Sequence, residues 1–411
     1  HRAAGASVGA VGSGRCGYPV RMRRAGGSAE SQEQWRALRL WMKNLRHDFA
    51  SAAGELYPEQ LRVEGTGLLA RPEWLPTQPV ELSRPELSFR QDAAAPAVLG
   101  SGPESVSVRP FDEAGQRFAT YAEAIEALDR PALFENRPLY RLLAVDLGDL
   151  GGGGRLDFTL GHYFDSVSIG EALAHEFAAA AAAGADGAAP GPVTLDQLPL
   201  RAAIGDPCDL SRRSASVGVT TVTLRRSGPG QASFLVHWRD PALVTNAGGL
   251  YQVMPVGIFQ PADFNPASVL PDLDLWHGLT REFSEELLGT PEEYPGLGSP
   301  IEYERWPFFR RLTDARRTGG LRVWIVGVGV DPLTMVNDIL TVAVFEAELF
   351  DDVFAGLVAV NSEGRVITDG GTTGFALGDS TVARFSGSEP MQAAGAAVLR
   401  LAWRFADALI G

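Results

Sequence analysis

The densest group of chemistry-bearing residues is Arg281-Glu282-Phe283-Ser284-Glu285-Glu286. Apolar residues at Leu275, Trp276, Leu279, Phe283 and Leu287 recur at three- and four-residue steps, which predicts a helix over 272–288 with Gly289 closing it. At about 100° per residue, Glu282 and Glu286 stack on one edge of the apolar face. Glu285 broadens the acidic patch. Glutamates that serve only solvation sit opposite the apolar stripe; these border it. Like charges at that spacing repel, and partial burial raises the cost. Arg281 alone does not offset three carboxylates. A divalent cation with oxygen ligands does, and Mg²⁺ suits carboxylates combined with substrate phosphates. The alternative is a solvated helix surface, since Glu is a good helix former.

The rest of the chain must position that helix. With 411 residues, two modules and an N-terminal extension are expected. Residues 1–30, rich in Gly, Ala, Ser and Arg, read as a disordered tail with no apolar stretch of the signal-peptide kind. Trp35, Leu38, Trp41, Met42, Leu45 and Phe49 predict one helix from Ser31, as N-cap, to about Gly54. Prolines from Pro72 to Pro103 predict an extended connector, so 31–108 is read as helix plus connector.

A small α+β module is expected over 109–192: helix 121–128, strands 139–147 and 156–163, helix 169–183, and a linker at 184–192. The second module, 193–411, should hold strands at 217–224, 233–238, 251–259, 321–330 and 340–349. Helical runs are expected at 301–317 and 389–410. The fold class is therefore α+β or α/β.

Bulk properties narrow the partners. A net charge of −14 argues against nucleic-acid binding through this chain and against anionic membrane surfaces. No apolar run approaches the ~20 residues of a membrane span. Two cysteines, Cys16 and Cys208, lack metal-type spacing, and a reducing cytoplasm is the expected compartment.

Arg281 to Glu286 resembles the core of the Nudix box, R-E-hydrophobic-x-E-E, at every fixed position. Tyr251-Gln-Val-Met-Pro-Val-Gly257 resembles the strand and turn that lead into it. The box's opening Gly and Glu correspond to Ala267 and Leu273, and its closing Gly to Leu288. The resemblance covers about 215–411. It implies an α/β/α sandwich and a hydrolase of nucleoside diphosphate-linked substrates. It also implies Mg²⁺ or Mn²⁺ on Glu282, Glu285 and Glu286, with Arg281 orienting a glutamate and Glu282 as an alternative proton acceptor. Tyr251 and Trp238 are expected to hold the base, and a homodimer is expected by the same analogy.

The phrases at 67–76, 133–137, 170–177 and 249–255 are similar to a group of bacterial transcriptional regulators. Those carry a helix-turn-helix ahead of a Nudix-like region. On that likeness the alternative function is a nucleotide-ligand sensor that hydrolyses slowly or not at all.

Other candidates carry less. His175-Glu176 has no second His four residues on, so the zinc-protease pattern is absent. Gly151 to Gly154 lacks the Lys-Ser/Thr of a phosphate loop and reads as a hairpin turn. His162 and His237 read as strand residues at core or edge. His277 projects away from Glu282, and Cys208 reads as inert. Glu135 to Arg137 could line a site of the first module.

Overall fold

Three Val-, Ile- and Thr-rich runs form the centre of the main sheet. The computed structural model describes residues 27–148, 153–183, 190–239, 249–290, 300–357, 364–367 and 374–411. The sheet runs in the order Val80–Glu81, Leu321–Val330, Asn337–Glu346, Val217–Gly228, Gln231–Phe234, Phe375–Ala376. Asn337–Glu346 and Val217–Gly228 pair in parallel and the other pairs are antiparallel, so the sheet is mixed. The short strand Val256–Ile258 pairs with Gly218–Thr220, ahead of the stretch that meets Gln231–Phe234.

Helices cover both faces. Phe345 and its neighbours at alternate positions look toward the acidic helix, where Phe283 packs edge-on at 5.6 Å. A β-bulge between Ile325 and Gly327 turns Gly327 to the opposite face. There a Cβ would meet Leu401 of the helix Ala393–Arg404 at 3.6 Å. Burial on both faces explains why Val217–Leu224 is uniformly buried rather than alternating.

A second sheet, Glu86–Phe89, Arg155–His162, Pro138–Asp146, joins the first through the Leu142 N–H to Ala215 O and the Tyr140 N–H to Phe259 O. A third sheet holds Gly364–Ile367, Val236–Arg239 and Tyr251–Val253. One contiguous apolar cluster takes in residues from Trp35 to Ile410.

The long helix Tyr163–Ala183 is mostly buried, and its buried Glu171, His175 and Glu176 are all paired. Arg39, 2% exposed, bonds Asp129 at 2.9 Å, the Tyr121 hydroxyl at 3.1 Å and Glu171 at 3.3 Å. Arg46 reaches the other Glu171 oxygen at 3.1 Å. His175 meets the Tyr121 hydroxyl at 2.9 Å, and burial with Arg39 nearby lowers its pKa to about 3. It is a neutral structural histidine.

The fold class is mixed α+β. Several edges differ from expectation. The first helix begins at Ser28 with Gly27 as N-cap, and Ser31 lies inside its first turn. Leu45 leaves helical geometry, so Arg46–Gly54 is a separate helix. The expected strand 251–259 is two strands in two sheets, because Pro255 has no N–H to continue a ladder. Strand 233–238 breaks at Leu235. The run 340–349 ends at Glu346 and turns into the helix Ala347–Val353. The closing helix begins at Ala393 and breaks at Phe405. Most of the expected tail and parts of the Gly151 turn and the 184–192 linker fall outside the described residues.

Candidate functional site

The acidic helix starts later than its periodicity predicts. Asp274 is the N-cap, its carboxylate accepting the N–H groups of Trp276 (2.7 Å) and His277 (3.3 Å). An α-helix spans Leu275–Glu282, and its last turn widens into a π-turn, Phe283–Leu287. Gly289, at φ +67°, closes it and donates to Glu285 O. Leu275, Leu279, Phe283 and Leu287 are buried, as the apolar face requires.

The glutamates bordering that face fold back on the strand Val256–Ile258. Glu286 Oε1 accepts the Val256 N–H at 3.2 Å. Glu282 lies against Gly257 so closely that a Cβ there would stand 1.8 Å from its Oε1. Position 257 therefore tolerates only glycine while Glu282 keeps this pose.

Arg281 is held from beneath. Its side chain is 6% exposed, 3.4 Å from Asp272, and donates to Gln260 O at 2.6 Å and the Tyr303 hydroxyl at 3.2 Å. Asp272, 1% exposed, also accepts the Tyr303 hydroxyl at 2.7 Å and the Ala262 N–H at 2.7 Å. Burial drives the Tyr303 phenol well above its ordinary pKa, so it stays a donor. His277 stacks on Tyr303 at 3.7 Å and turns Nδ1 to Pro271 O, away from the glutamates.

Arg281, Glu282, Glu285 and Glu286 line a cavity of about 980 Å³. It passes around the edge strand to Gly218 and Asp338. Arg46, Arg137 and Arg239 also line it, so both charge signs face the same space. Glu135 lines it as well and holds Arg137 at 3.1 Å.

Asp338 was not singled out in the sequence. Thr220 donates to its Oδ1 at 2.8 Å, and a Cβ at Gly218 would lie 3.0 Å from that oxygen. Burial, reinforced by Asp331, pushes its pKa up to about 7. The available signal was an acid inside the run Asn337-Asp338-Ile339-Leu340.

Tyr251 and Trp238 are not among the residues lining this cavity. They pair with each other across the third sheet, and the Tyr251 ring packs on Phe385 at 5.6 Å. The break at Pro255 separates that sheet from the strand under the glutamates. Asp272 and Asp274, the acids flanking Leu273, are engaged by Arg281 and the helix N-terminus and do not line the cavity.

Among the described residues, no three His, Cys, Asp or Glu side chains already stand as a metal ligand set. None of their helices is long and apolar enough to cross a membrane. Burial raises the Cys208 thiol to about 11, in keeping with an inert thiol. No family model matches the chain, and no curated protein matches it.

Proposed function

We propose that this chain is a Nudix-like, Mg²⁺-dependent hydrolase of nucleoside diphosphate-linked substrates. The observation that carries this reading is the pair Glu282 and Glu286, folded onto Gly257 and Val256 at the wall of a large cavity. Their oxygens suit a hard divalent cation, and Mg²⁺ needs only one or two carboxylates when water and phosphate oxygens complete its shell. Glu282, Glu285 and Glu286 would hold Mg²⁺ or Mn²⁺. Bound there, the ion would polarise a bridging phosphate and lower the pKa of a water. A Glu282 carboxylate oxygen is the alternative acceptor of the proton from that water.

Arg281 acts as a positioning residue in this proposal. It ties the helix to Gln260 and Asp272. Arg46, Arg137 and Arg239 supply positive charge for phosphate oxygens. The cytoplasmic setting, the homodimer and the tie to transcriptional regulators belong to the same proposal.

A second reading, a nucleotide-ligand sensor, is favoured by one observation. Leu273 stands where the box has its opening acid, and the neighbouring Asp272 and Asp274 are both engaged elsewhere.

Purified chain, Mg²⁺ and a panel of nucleoside diphosphate derivatives separate the two. Turnover lost in Glu286→Gln supports the hydrolase. Tight binding without turnover supports the sensor. Neither, with thermal stability unmoved by Mg²⁺, removes both.

A further inference from the structure

A second cavity, of about 650 Å³, shares no lining residue with the first. It opens between the strand Arg155–His162, residues 91–99 and the turn at 266–270. Its walls are mixed, and the large apolar side chains among them are Phe89, Leu99, Leu160, Ile169, Val269 and Leu270. Leu99, Leu160 and Leu270 are 55%, 37% and 64% exposed, so three leucines stand in water around it. A cavity of this size suits a ligand of some tens of atoms.

Two buried polar atoms in its lining, Arg141 Nε and Ser214 Oγ, have no hydrogen-bond partner among the described residues. Arg141, on the strand Pro138–Asp146, is 8% exposed. Its Nε–H is buried with no hydrogen-bond partner among the described residues. Its Nη2 donates to Ala94 O at 2.6 Å. Burial lowers its pKa, and the acid that offsets this is Asp165, 59% exposed and 3.9 Å from His162. Ser214 is 7% exposed, and its Oγ also has no partner among the described residues.

Gly161 lies between the two. A Cβ there would stand 3.4 Å from Arg141 Cβ, 3.3 Å from Leu139 Cδ1 and 3.9 Å from Ser214 Oγ. Glycine keeps the lining open beside the Arg141 stem and the Ser214 hydroxyl.

A guanidinium removed from water and faced only by an exposed acid is costly, and an anion brought beside it offsets that cost. One cation and one hydroxyl match a singly charged carboxylate. A doubly charged phosphate would ask for more positive charge, and Asp165 in the lining would repel it more strongly than a single charge. The leucines specify that the rest of the ligand is hydrocarbon.

We propose that this cavity binds an amphiphilic monocarboxylate of the medium-chain fatty-acid type. Its carboxylate lies at Arg141 and Ser214, and its chain runs along Leu160, Ile169 and Leu270.

The test is calorimetric titration of the full chain with decanoate, decylamine, decanol and inorganic phosphate, below micelle-forming concentrations. Decanoate should bind saturably, and the other three should bind at least about tenfold more weakly. Arg141→Gln should weaken decanoate about tenfold or more. Leu270→Asp, a surface change that brings a like charge to the chain's path, should weaken it several-fold with the melting temperature unmoved. This second variant decides the matter if Arg141→Gln does not fold. The proposal is overturned if decanoate does not bind, or if decylamine or decanol binds equally well. It is also overturned if phosphate matches decanoate, or if every folded variant keeps wild-type affinity.

Discussion

Asp272 and Asp338 both carry a carboxyl group into the protein, and their surroundings treat them in opposite ways. Asp272 is met by Arg281, the Tyr303 hydroxyl and the Ala262 N–H, all within 3.4 Å. Asp338 has the Thr220 hydroxyl and the cavity, with a second acid, Asp331, nearby. The first arrangement stabilises an ion in place. The second leaves a carboxyl group that keeps its proton up to about pH 7. A charge answered on every side builds the fold, and a charge turned toward a cavity is available to a ligand. Glu282 and Glu286 line the same cavity as Asp338.

The comparison can be broken most forcefully at Asp272. Asp272→Ala leaves Arg281 buried without its carboxylate and should cost about 3–5 kcal/mol, read by urea unfolding. A loss under about 1 kcal/mol would remove Asp272 as the counter-charge of Arg281. Gly257→Ala acts on the opposite side of the division. Its Cβ displaces the Glu282 carboxylate, so Mg²⁺-dependent turnover should fall on the order of 100-fold while stability changes by less than about 1 kcal/mol. Equal losses in both would make Glu282 a structural group.

Asp338 gives a smaller, pH-dependent effect. Its folded pKa, about 7, lies above the ordinary 3.8. Below the ordinary value both folded and unfolded chains hold the proton, and the group contributes nothing. As pH rises toward 7 the unfolded chain loses its proton first, so stability falls across that window and then levels. Asp338→Asn should flatten this part of the profile and gain on the order of 1–3 kcal/mol above pH 7, with little change near pH 4. A parallel profile in the variant would contradict the assignment. Smallest of all, Tyr251→Phe should leave ligand affinity within about twofold, because its ring packs on Phe385 outside the cavity lining.

The acidic helix and the long strands were legible in the sequence, because both follow from local periodicity. Glu282 and Glu286 border an apolar stripe that Leu275, Leu279, Phe283 and Leu287 define on their own. Leu321–Val330 was legible end to end because its β-branched run stops at turn residues. Element ends were less so. Nothing local distinguishes Ala347 as the start of a helix after ten strand residues. The neighbours of the glutamates were not legible, since Gly257, Asp338 and Arg46 meet one cavity only through sheet register and helix packing. Tyr251 and Trp238, read from the sequence as aromatic partners for a base, pair with each other on another sheet, which Pro255 separates from the strand Val256–Ile258.

The most direct test of the cation site is Mn²⁺ binding, followed by the spectroscopic signal of the free ion, in wild type, Glu282→Gln, Glu286→Gln and Asp274→Asn. Wild type should bind Mn²⁺, either glutamine variant should weaken it at least about tenfold, and Asp274→Asn should bind as wild type does. Mn²⁺ binding that is absent in wild type, or unchanged in both glutamine variants, would contradict the account.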